Sequence, residues 1–176
     1  MSELKCPLMD KEVTVFKCNN SSIEQQIHDA YFITLMKQAY GHQIIINDKV
    51  IGYYMLCFKR VELEDVNAIM GEEYQSSTIN YYTSMHIQFL AIDSRLQHKG
   101  IGTKVLQGVI SEILALSRNH PIRLITLDAL EEYHEWYFKN GFRDIPGKEH
   151  DGITIPMYVD CSSKEDVEKL EAYYEC

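Results

Sequence analysis

The chain has 176 residues, of which 45% are hydrophobic and 24% are charged, a composition typical of globular proteins with one packed core. Its formal net charge of −9 disfavours nucleic acid as a general partner and favours cationic ligands such as amines. No stretch approaches the roughly 18 apolar residues of a membrane span, Met1–Lys5 lacks the apolar segment of a secretory signal, and the five cysteines are odd in number and scattered. We therefore expect a single cytoplasmic domain over 1–176, with reduced thiols, no metal site and no membrane partner.

The first half of the chain predicts a helical segment followed by a β-hairpin. Turn residues, apolar periodicity and alternation place its elements. They are an irregular lead-in over 1–12, a strand at Val13–Phe16, one broken or two short helices from Ile23 to about Tyr40, strands at Gln43–Ile46 and Lys49–Phe58, and a solvated loop or short helix at Glu62–Glu73.

The second half alternates buried strands with helices. The predicted elements are a strand at Met85–Ile92, a helix at Ile101–Leu116, a strand at Ile122–Leu127, a helix at Glu131–Asn140, strands at Phe142–Ile145 and Gly152–Val159, and an amphipathic helix at about 162–174. Alternation implies parallel strands with helical crossovers, whereas the hairpins imply antiparallel pairs. We expect a mixed α/β sheet, with its core over 13–160 and a C-terminal helix.

A glycine-bearing turn joins the strand Met85–Ile92 directly to the helix that follows it. The first N–H groups of a helix lack partners within it and lie at the positive end of its dipole. Gly100 and Gly102 leave room for a phosphate to reach them. Three cations lie near the turn: Arg95, Lys99 and Lys104. The turn fits neither G-x-x-x-x-G-K-[ST] nor G-x-G-x-x-G, and it predicts a pyrophosphate-binding site of another type.

Two motifs resemble the GCN5-related N-acetyltransferase (GNAT) family. Gln97, Gly100 and Gly102 fit its acyl-coenzyme A loop, Q/R-x-x-G-x-G/A, and Leu90–Asp93 is similar to its fourth strand. Trp136–Phe142 resembles its second landmark, an aromatic-Y-x-x-x-G-F helix end. The resemblance covers roughly 43–160. It implies a GNAT-like α/β fold: a mixed, mostly antiparallel central sheet with one splayed parallel strand pair and helices on both faces.

The resemblance also implies acetyl-coenzyme A as co-substrate and a set of site residues. The Leu90 backbone N–H would face the thioester carbonyl, and Tyr137 would be the general acid that protonates the departing thiolate. Phenol is protonated at neutral pH and can supply that proton. The expected cofactor-binding residues are Leu90, Ala91, Ile92, Gln97, His98, Lys99, Gly100, Ile101, Gly102 and Thr103.

The general base is the least defined part of the predicted site. His86 and Gln88 alternate on one strand and share a face, and Asp128 ends the next predicted strand. His86 has the only ordinary pKa suited to the task, although a lone histidine in a strand is more often structural. No cluster of cysteine and histidine has the spacing of metal ligands.

The leading hypothesis is transfer of an acetyl group to a primary amine of a small molecule, peptide or protein, by direct attack in a ternary complex. The helical segment after Phe16–Cys18, the strand with Gly52–Tyr54 and the element Leu127–Leu130 together also resemble the acetyltransferase toxins of toxin–antitoxin systems, which acylate aminoacyl-tRNA and tend to have basic surfaces. Charged tRNA is thus the one nucleic acid considered, despite the net charge of −9.

Other possibilities stay open: a non-catalytic acyl-coenzyme A sensor, an unrelated phosphate-binding fold and a homodimer. The acceptor, the general base and the existence of an antitoxin partner are also left open. Acceptor specificity is predicted in the Ser21–Tyr40 helices, the Glu62–Asn80 loop and the Pro146–Asp151 turn.

Overall fold

The computed structural model of the chain describes residues 4–13, 15–70, 81–147 and 152–174, and the structural statements below concern these residues. Their strands are β1 (Leu4–Lys5), β2 (Tyr40–Ile46), β3 (Lys49–Glu62), β4 (Tyr81–Ile92), β5 (Leu124–Leu130), β6 (Arg143–Asp144) and β7 (Thr154–Asp160). Their α-helices are α1 (Ser21–Leu35), α2 (Leu63–Met70), α3 (Ile101–Ser117), α4 (His134–Lys139) and α5 (Lys164–Tyr174), with short 3-10 helices at Ser94–Leu96 and Glu131–Tyr133.

The strands form one sheet in the order β1-β2-β3-β4-β5-β7-β6. Neighbouring strands are antiparallel except β4 and β5, which run parallel. This confirms the predicted mixed, mostly antiparallel sheet with one parallel pair.

Successive residues of a strand point to opposite sides of the sheet. Apolar side chains therefore lie on both faces, and helices cover both. On β3, Tyr54 and Leu56 pack in the larger core cluster with Val105 and Leu106 of α3. The intervening Tyr53 and Met55 pack in a second cluster with Ile27 and Ala30 of α1. The sheet therefore separates α1 from α3, with one core on each side.

Two irregularities in β4 shape the centre of the sheet. Opposite β3, Leu90 pairs with Tyr54 but Ile87 pairs with Leu56, so the register shifts by one residue at a β-bulge beside Gln88. Opposite β5, the parallel pairing ends at Ile87↔Leu127, although β4 continues to Ile92 and β5 to Leu130. The two strands consequently diverge beyond that point.

The prediction of a first strand at Val13–Phe16 is wrong. Val13, Val15 and Phe16 lie outside any strand, and residue 14 lies outside the described residues. Val13 and Phe16 are buried against the α1 side of the sheet, so their apolar spacing reflects packing rather than strand pairing. The first strand is instead β1, inside the predicted irregular lead-in, where it pairs with the end of β2.

Most other element predictions are close, with shifts at the boundaries. The helix after Ser21 is single and unbroken, ends at Leu35, and leaves Tyr40 to start β2. The fifth strand begins at Leu124 and continues through Asp128 to Leu130, beyond the predicted end at Leu127. Residues 71–73 of the predicted acidic stretch, 74–80 and 148–151 lie outside the described residues. None of the helices in the described ranges has the length and hydrophobicity of a membrane span.

Candidate active site

A cavity of about 540 Å³ opens where β4 and β5 diverge. Its walls come from β4, the turn before α3, the end of β5, α4 and the segment that leads into α1. Ligands often bind where neighbouring strands separate, because the backbone N–H and C=O groups there do not pair with the other strand. The divergence of β4 and β5 is thus the main structural reason for the site.

The N-terminus of α3 forms one end of this cavity. Gly100 is the N-cap and has a left-handed φ of 75°, which explains a glycine at this position. The first hydrogen bond of the helix is donated by the Lys104 N–H to the Gly100 carbonyl at 3.2 Å. The N–H groups of residues 101–103 precede that bond and point out of the helix start, as an anion site requires.

Gln97 holds the turn to two distant parts of the chain. Its Nε2 donates hydrogen bonds of 3.0 Å to the carbonyl of Ile92, at the end of β4, and to the carbonyl of Cys18. Both bonds use the NH2 group of the side-chain amide, so Gln97 fixes the approach of the turn, and its contact with a cofactor stays a prediction.

The three predicted cations near the turn differ in how available their charge is. Arg95 binds Asp93 through Nε at 2.9 Å and Nη2 at 2.7 Å, and these bonds hold the pKa of the Asp93 carboxyl below its usual value. The Lys99 ammonium donates to the Arg95 carbonyl at 3.0 Å, whereas Lys104 is exposed on the first turn of α3. The positive charge beside the turn therefore rests mainly on the two lysines.

Tyr137 lines the opposite side of the cavity from α4. Its ring packs edge-on against Trp136, with centroids 4.6 Å apart, and against Phe142 at 5.6 Å. Among the residues that the structure describes, no hydrogen bond engages its hydroxyl. Burial raises the pKa of Tyr137 above its ordinary value, so the phenol is protonated throughout the neutral range.

His86 lies in the sheet, only 4% exposed, and does not line the cavity. Its Nδ1 shares a hydrogen bond of 3.1 Å with the hydroxyl of Thr126, and its Nε2 is 3.7 Å from Asp128 Oδ2. Burial, and secondly the nearby Lys59, lower the pKa of His86 to about 4 against the opposing effect of Asp128. The imidazole is therefore uncharged at neutral pH, and its role as a base stays a prediction.

The structure brings most predicted site residues to the cavity wall. Those that line it are Leu90, Ala91, Ile92, Gln97, His98, Gly100, Gly102, Thr103 and Tyr137. Lys99 and Ile101 belong to the same turn, but the side chain of Ile101 packs toward the core. The two landmarks of the sequence, 35 residues apart between Gly102 and Tyr137, thus meet across one space.

Sequence reasoning missed the wall contributed by the lead-in to α1. Cys18 and Asn20 of this lead-in line the cavity together with Ile23 on the first turn of α1, and Gln97 binds the Cys18 carbonyl 79 residues away in sequence. It also missed Glu132 and Tyr133, which the 3-10 helix after β5 brings to the same space. The charged groups among the lining residues that the structure describes are the carboxylates Asp128 and Glu132, and no group of three metal-binding side chains occurs in those ranges.

A family model described as "Acetyltransferase (GNAT) domain" matches residues 64–160, more than half of the chain. The chain belongs to the GNAT acetyltransferase family. It is accordingly an N-acetyltransferase domain, and the family resemblance stated from Gln97, Gly100, Gly102 and Tyr137 is confirmed.

Solved structures with the same fold cover nearly the whole chain. A structure described as a bacterial toxin has a TM-score of 0.76 at 16% identity, covering 97% of each chain. AtaT complexed with acetyl-methionyl-tRNAfMet has a TM-score of 0.76 at 19% identity, covering 96% of this chain and 99% of the other. AtaTR bound with AcCoA has a TM-score of 0.73 at 19% identity, covering 95% and 97%. At these identities the likeness shows the GNAT fold. A search of curated protein sequences found no match.

Proposed function

We propose that this GNAT domain transfers the acetyl group of acetyl-coenzyme A to a primary amine. The observation that carries the proposal is a single cavity that is lined by the glycine turn at the N-terminus of α3 and by the Tyr137 ring. A pyrophosphate site and a protonated phenol facing one space are what binding and cleavage of an acyl-coenzyme A require. The similarity to AtaTR bound with AcCoA supports this choice of co-substrate.

The cofactor is proposed to lie along β4 with its pyrophosphate at the start of α3. The N–H groups of residues 101–103 bind the phosphate oxygens, and Lys104 adds charge beside them. The pantetheine arm follows the separated end of β4, with the Leu90 backbone N–H directed at the thioester carbonyl. A preorganised donor at that oxygen stabilises the charge that develops when the carbonyl is attacked.

The reaction is direct and needs no covalent enzyme intermediate. The lone pair of the neutral amine attacks the thioester carbonyl, a C–N bond forms, and the C–S bond breaks as the tetrahedral intermediate collapses. The thiolate takes a proton from the Tyr137 hydroxyl, the nitrogen loses one proton to water, and the Tyr137 phenolate takes up one proton from water. The products are the N-acetylated acceptor and coenzyme A. Burial raises the pKa of Tyr137, so the phenol keeps its proton until a thiolate is formed.

Two acceptor classes fit different observations. The carboxylates Asp128 and Glu132 in the cavity and the net charge of −9 favour a small cationic amine or a peptide amino group. Aminoacyl-tRNA is the second candidate, and the near-complete structural overlap with AtaT complexed with acetyl-methionyl-tRNAfMet supports it. The α-amino group of an aminoacyl-tRNA would be easier to deprotonate than a side-chain ammonium, because α-amines have pKa values of about 8 and the lysine side chain has one of about 10.

The test is thiol release from acetyl-coenzyme A with a panel of acceptors: polyamines, aminoglycosides, amino acids, peptides with free N-termini and aminoacyl-tRNA. Turnover with a small cation or a peptide supports the first acceptor class. Turnover with aminoacyl-tRNA alone supports the second and directs attention to Lys99 and Lys104 as RNA contacts. Tight acetyl-coenzyme A binding without turnover on any acceptor contradicts the transferase proposal and favours a sensor.

A further inference from the structure

We infer that Asp128 is the specificity residue that receives the ammonium form of the acceptor, and that Lys59 holds this carboxylate until the acceptor arrives. The inference rests on the proposed acetyl transfer and names the group of this chain that selects the acceptor. Neither phosphate binding at the glycine turn nor proton donation by Tyr137 gives this carboxylate a role, and the inference supplies one.

The position of Asp128 follows from the end of the parallel strand pairing. Leu127 is the last residue of β5 that pairs with β4, and Asp128 is the first one beyond it. The Asp128 side chain lines the cavity and remains 43% exposed. A carboxylate at the point where two strands separate faces the space in which an acceptor must approach the thioester along β4.

The surroundings of Asp128 are arranged around a negative charge. Lys59 Nζ and His86 Nε2 both lie 3.7 Å from Asp128 Oδ2. These distances are too long for direct hydrogen bonds, so the carboxylate keeps acceptor capacity toward a ligand. The imidazole beside it is fixed by Thr126 at 3.1 Å, which makes His86 a positioning residue behind the carboxylate.

Lys59 is the natural competitor of an incoming ammonium because both cations would bind the same carboxylate. The Lys59 side chain is 52% exposed, so it can leave the carboxylate by turning into water at little cost. Replacing Asp128 and replacing Lys59 should therefore affect acceptor binding in opposite directions. A purely structural ion pair would give changes of the same sign, since either replacement would break it.

A binding experiment tests the inference without requiring turnover. Protein labelled with ¹⁵N-histidine and saturated with coenzyme A is titrated with n-propylammonium chloride, with potassium chloride as the ionic-strength control. The ring nitrogens of His86, identified by their loss in His86→Gln, report a cation bound at Asp128. We expect a saturable shift in the wild type, binding at least about tenfold weaker in Asp128→Asn, and binding about two- to fivefold tighter in Lys59→Met.

The inference is overturned if the wild type shows no saturable shift beyond the salt control, if Asp128→Asn binds the probe as well as the wild type, or if Lys59→Met weakens binding. Glu135→Gln is the matched control, because it removes one negative charge from a solvent-facing position on α4 where the side chain is 75% exposed. Thermal unfolding of each variant verifies that the fold is retained.

Steady-state kinetics with an acceptor found in the panel give the second readout. Asp128→Asn should raise the acceptor KM at least about tenfold and leave the KM for acetyl-coenzyme A unchanged, whereas Lys59→Met should lower the acceptor KM. An unchanged acceptor KM in Asp128→Asn overturns the inference while leaving acetyl transfer intact. Absence of turnover on every acceptor overturns the proposed transfer, and the probe titration still decides whether Asp128 binds an ammonium.

Discussion

The indole Nε1 of Trp136 donates a hydrogen bond of 3.1 Å to the hydroxyl of Thr103. This bond joins α4, which carries Tyr137, to the first turn of α3, where the phosphate site is proposed. The same indole faces Gly102, since a β-carbon built on that glycine would lie 3.6 Å from Trp136 Cζ2. The bond between Trp136 and Thr103 thus ties the Tyr137 side of the cavity to the glycine-turn side.

Thr103→Val tests this connection because valine keeps the shape of threonine and replaces only the hydroxyl by a methyl group. We expect a loss of about 0.5–1.5 kcal/mol in the free energy of unfolding. Trp136→Phe should cost more because ring volume is lost as well. The loss of unfolding free energy in the double variant should be smaller than the sum of the two single-variant losses by about 0.5 kcal/mol or more, measured by urea unfolding. Strict additivity would contradict the coupling.

The glycine turn and the helix after it were predictable because their signals are local. The apolar spacing over Ile101–Ser117 and the left-handed N-cap at Gly100 depend on residues a few positions apart. The resemblance to the GNAT family then supplied Tyr137, whose contact with Trp136 and Phe142 is also close in sequence.

The lead-in to α1 could not be placed from the sequence because its structure depends on distant contacts. The bond from Gln97 to Cys18 and the burial of Phe16 against Tyr53, with ring centroids 5.1 Å apart, decide its course. The alternation over Val13–Phe16 has the same period as a strand, so the sequence alone could not distinguish it from loop residues packed on a sheet. The environment of His86 likewise depends on Lys59 and Thr126, on neighbouring strands.

Gly102→Leu tests the phosphate site. A β-carbon at this position meets only ordinary contacts, 3.6 Å from Trp136 and 3.8 Å from Ile92, so the fold should tolerate it. The rest of the leucine side chain would enter the cavity and displace phosphate oxygens from the helix N–H groups. We expect acetyl-coenzyme A to bind at least about tenfold more weakly by calorimetry, as loss of charge-assisted hydrogen bonds implies.

Gly108→Leu is the control for that experiment. Gly108 lies on an exposed position of the same helix, and among the described residues a β-carbon there meets no atom within 4 Å apart from its chain neighbours and the backbone of its own helix. Its affinity for acetyl-coenzyme A should equal that of the wild type. Equal affinity in Gly102→Leu would mean that the pyrophosphate lies elsewhere.

Gly52 and Gly108 should respond to alanine in opposite ways. A β-carbon on Gly52 would press against the backbone carbonyl of Ala91 on β4, which cannot move without disturbing the strand beside the cavity. Gly52→Ala should therefore destabilise the protein by about 1–3 kcal/mol. Gly108→Ala should stabilise it by about 0.5–1 kcal/mol, because glycine is unfavourable within a helix. Chemical unfolding measures the change in unfolding free energy for both variants. An unchanged free energy in Gly52→Ala would contradict the close approach of β3 and β4.

His86 should make the fold sensitive to acid. Because the folded state lowers its pKa to about 4, the unfolded chain binds more protons between that value and the ordinary pKa of about 6.5. Stability from the neutral imidazole is fully present above pH 6.5 and is lost as the pH falls toward 4. The loss over that window should be roughly 3 kcal/mol. His86→Gln should flatten the curve of unfolding free energy against pH in this range.

The surface replacement His28→Gln, on the exposed side of α1, is the control for the acid response. Its curve should follow the wild type. A residual slope is expected in His86→Gln because burial also lowers the pKa of His42. Parallel curves for His86→Gln and the wild type would mean that protonated His86 is accommodated in the fold.

Tyr137→Phe isolates the role of the phenol because it keeps the ring packing against Trp136 and Phe142. If the hydroxyl protonates the thiolate, kcat should fall by roughly 100- to 10,000-fold with an acceptor identified in the panel. Acetyl-coenzyme A affinity should stay within about twofold of the wild type, since the pyrophosphate site is proposed at the start of α3 and the uncharged phenol adds little to ground-state binding.

The matched control is Tyr158→Phe, which removes a phenolic hydroxyl from β7, where the ring packs in the cluster with Val61 and Leu124 away from the cavity. It should leave kcat unchanged. The raised pKa of Tyr137 adds a second readout: wild-type kcat should not fall through loss of the Tyr137 proton anywhere between pH 7 and 9. A loss of kcat below about threefold in Tyr137→Phe would show that water or another group protonates the thiolate, because a general acid contributes far more.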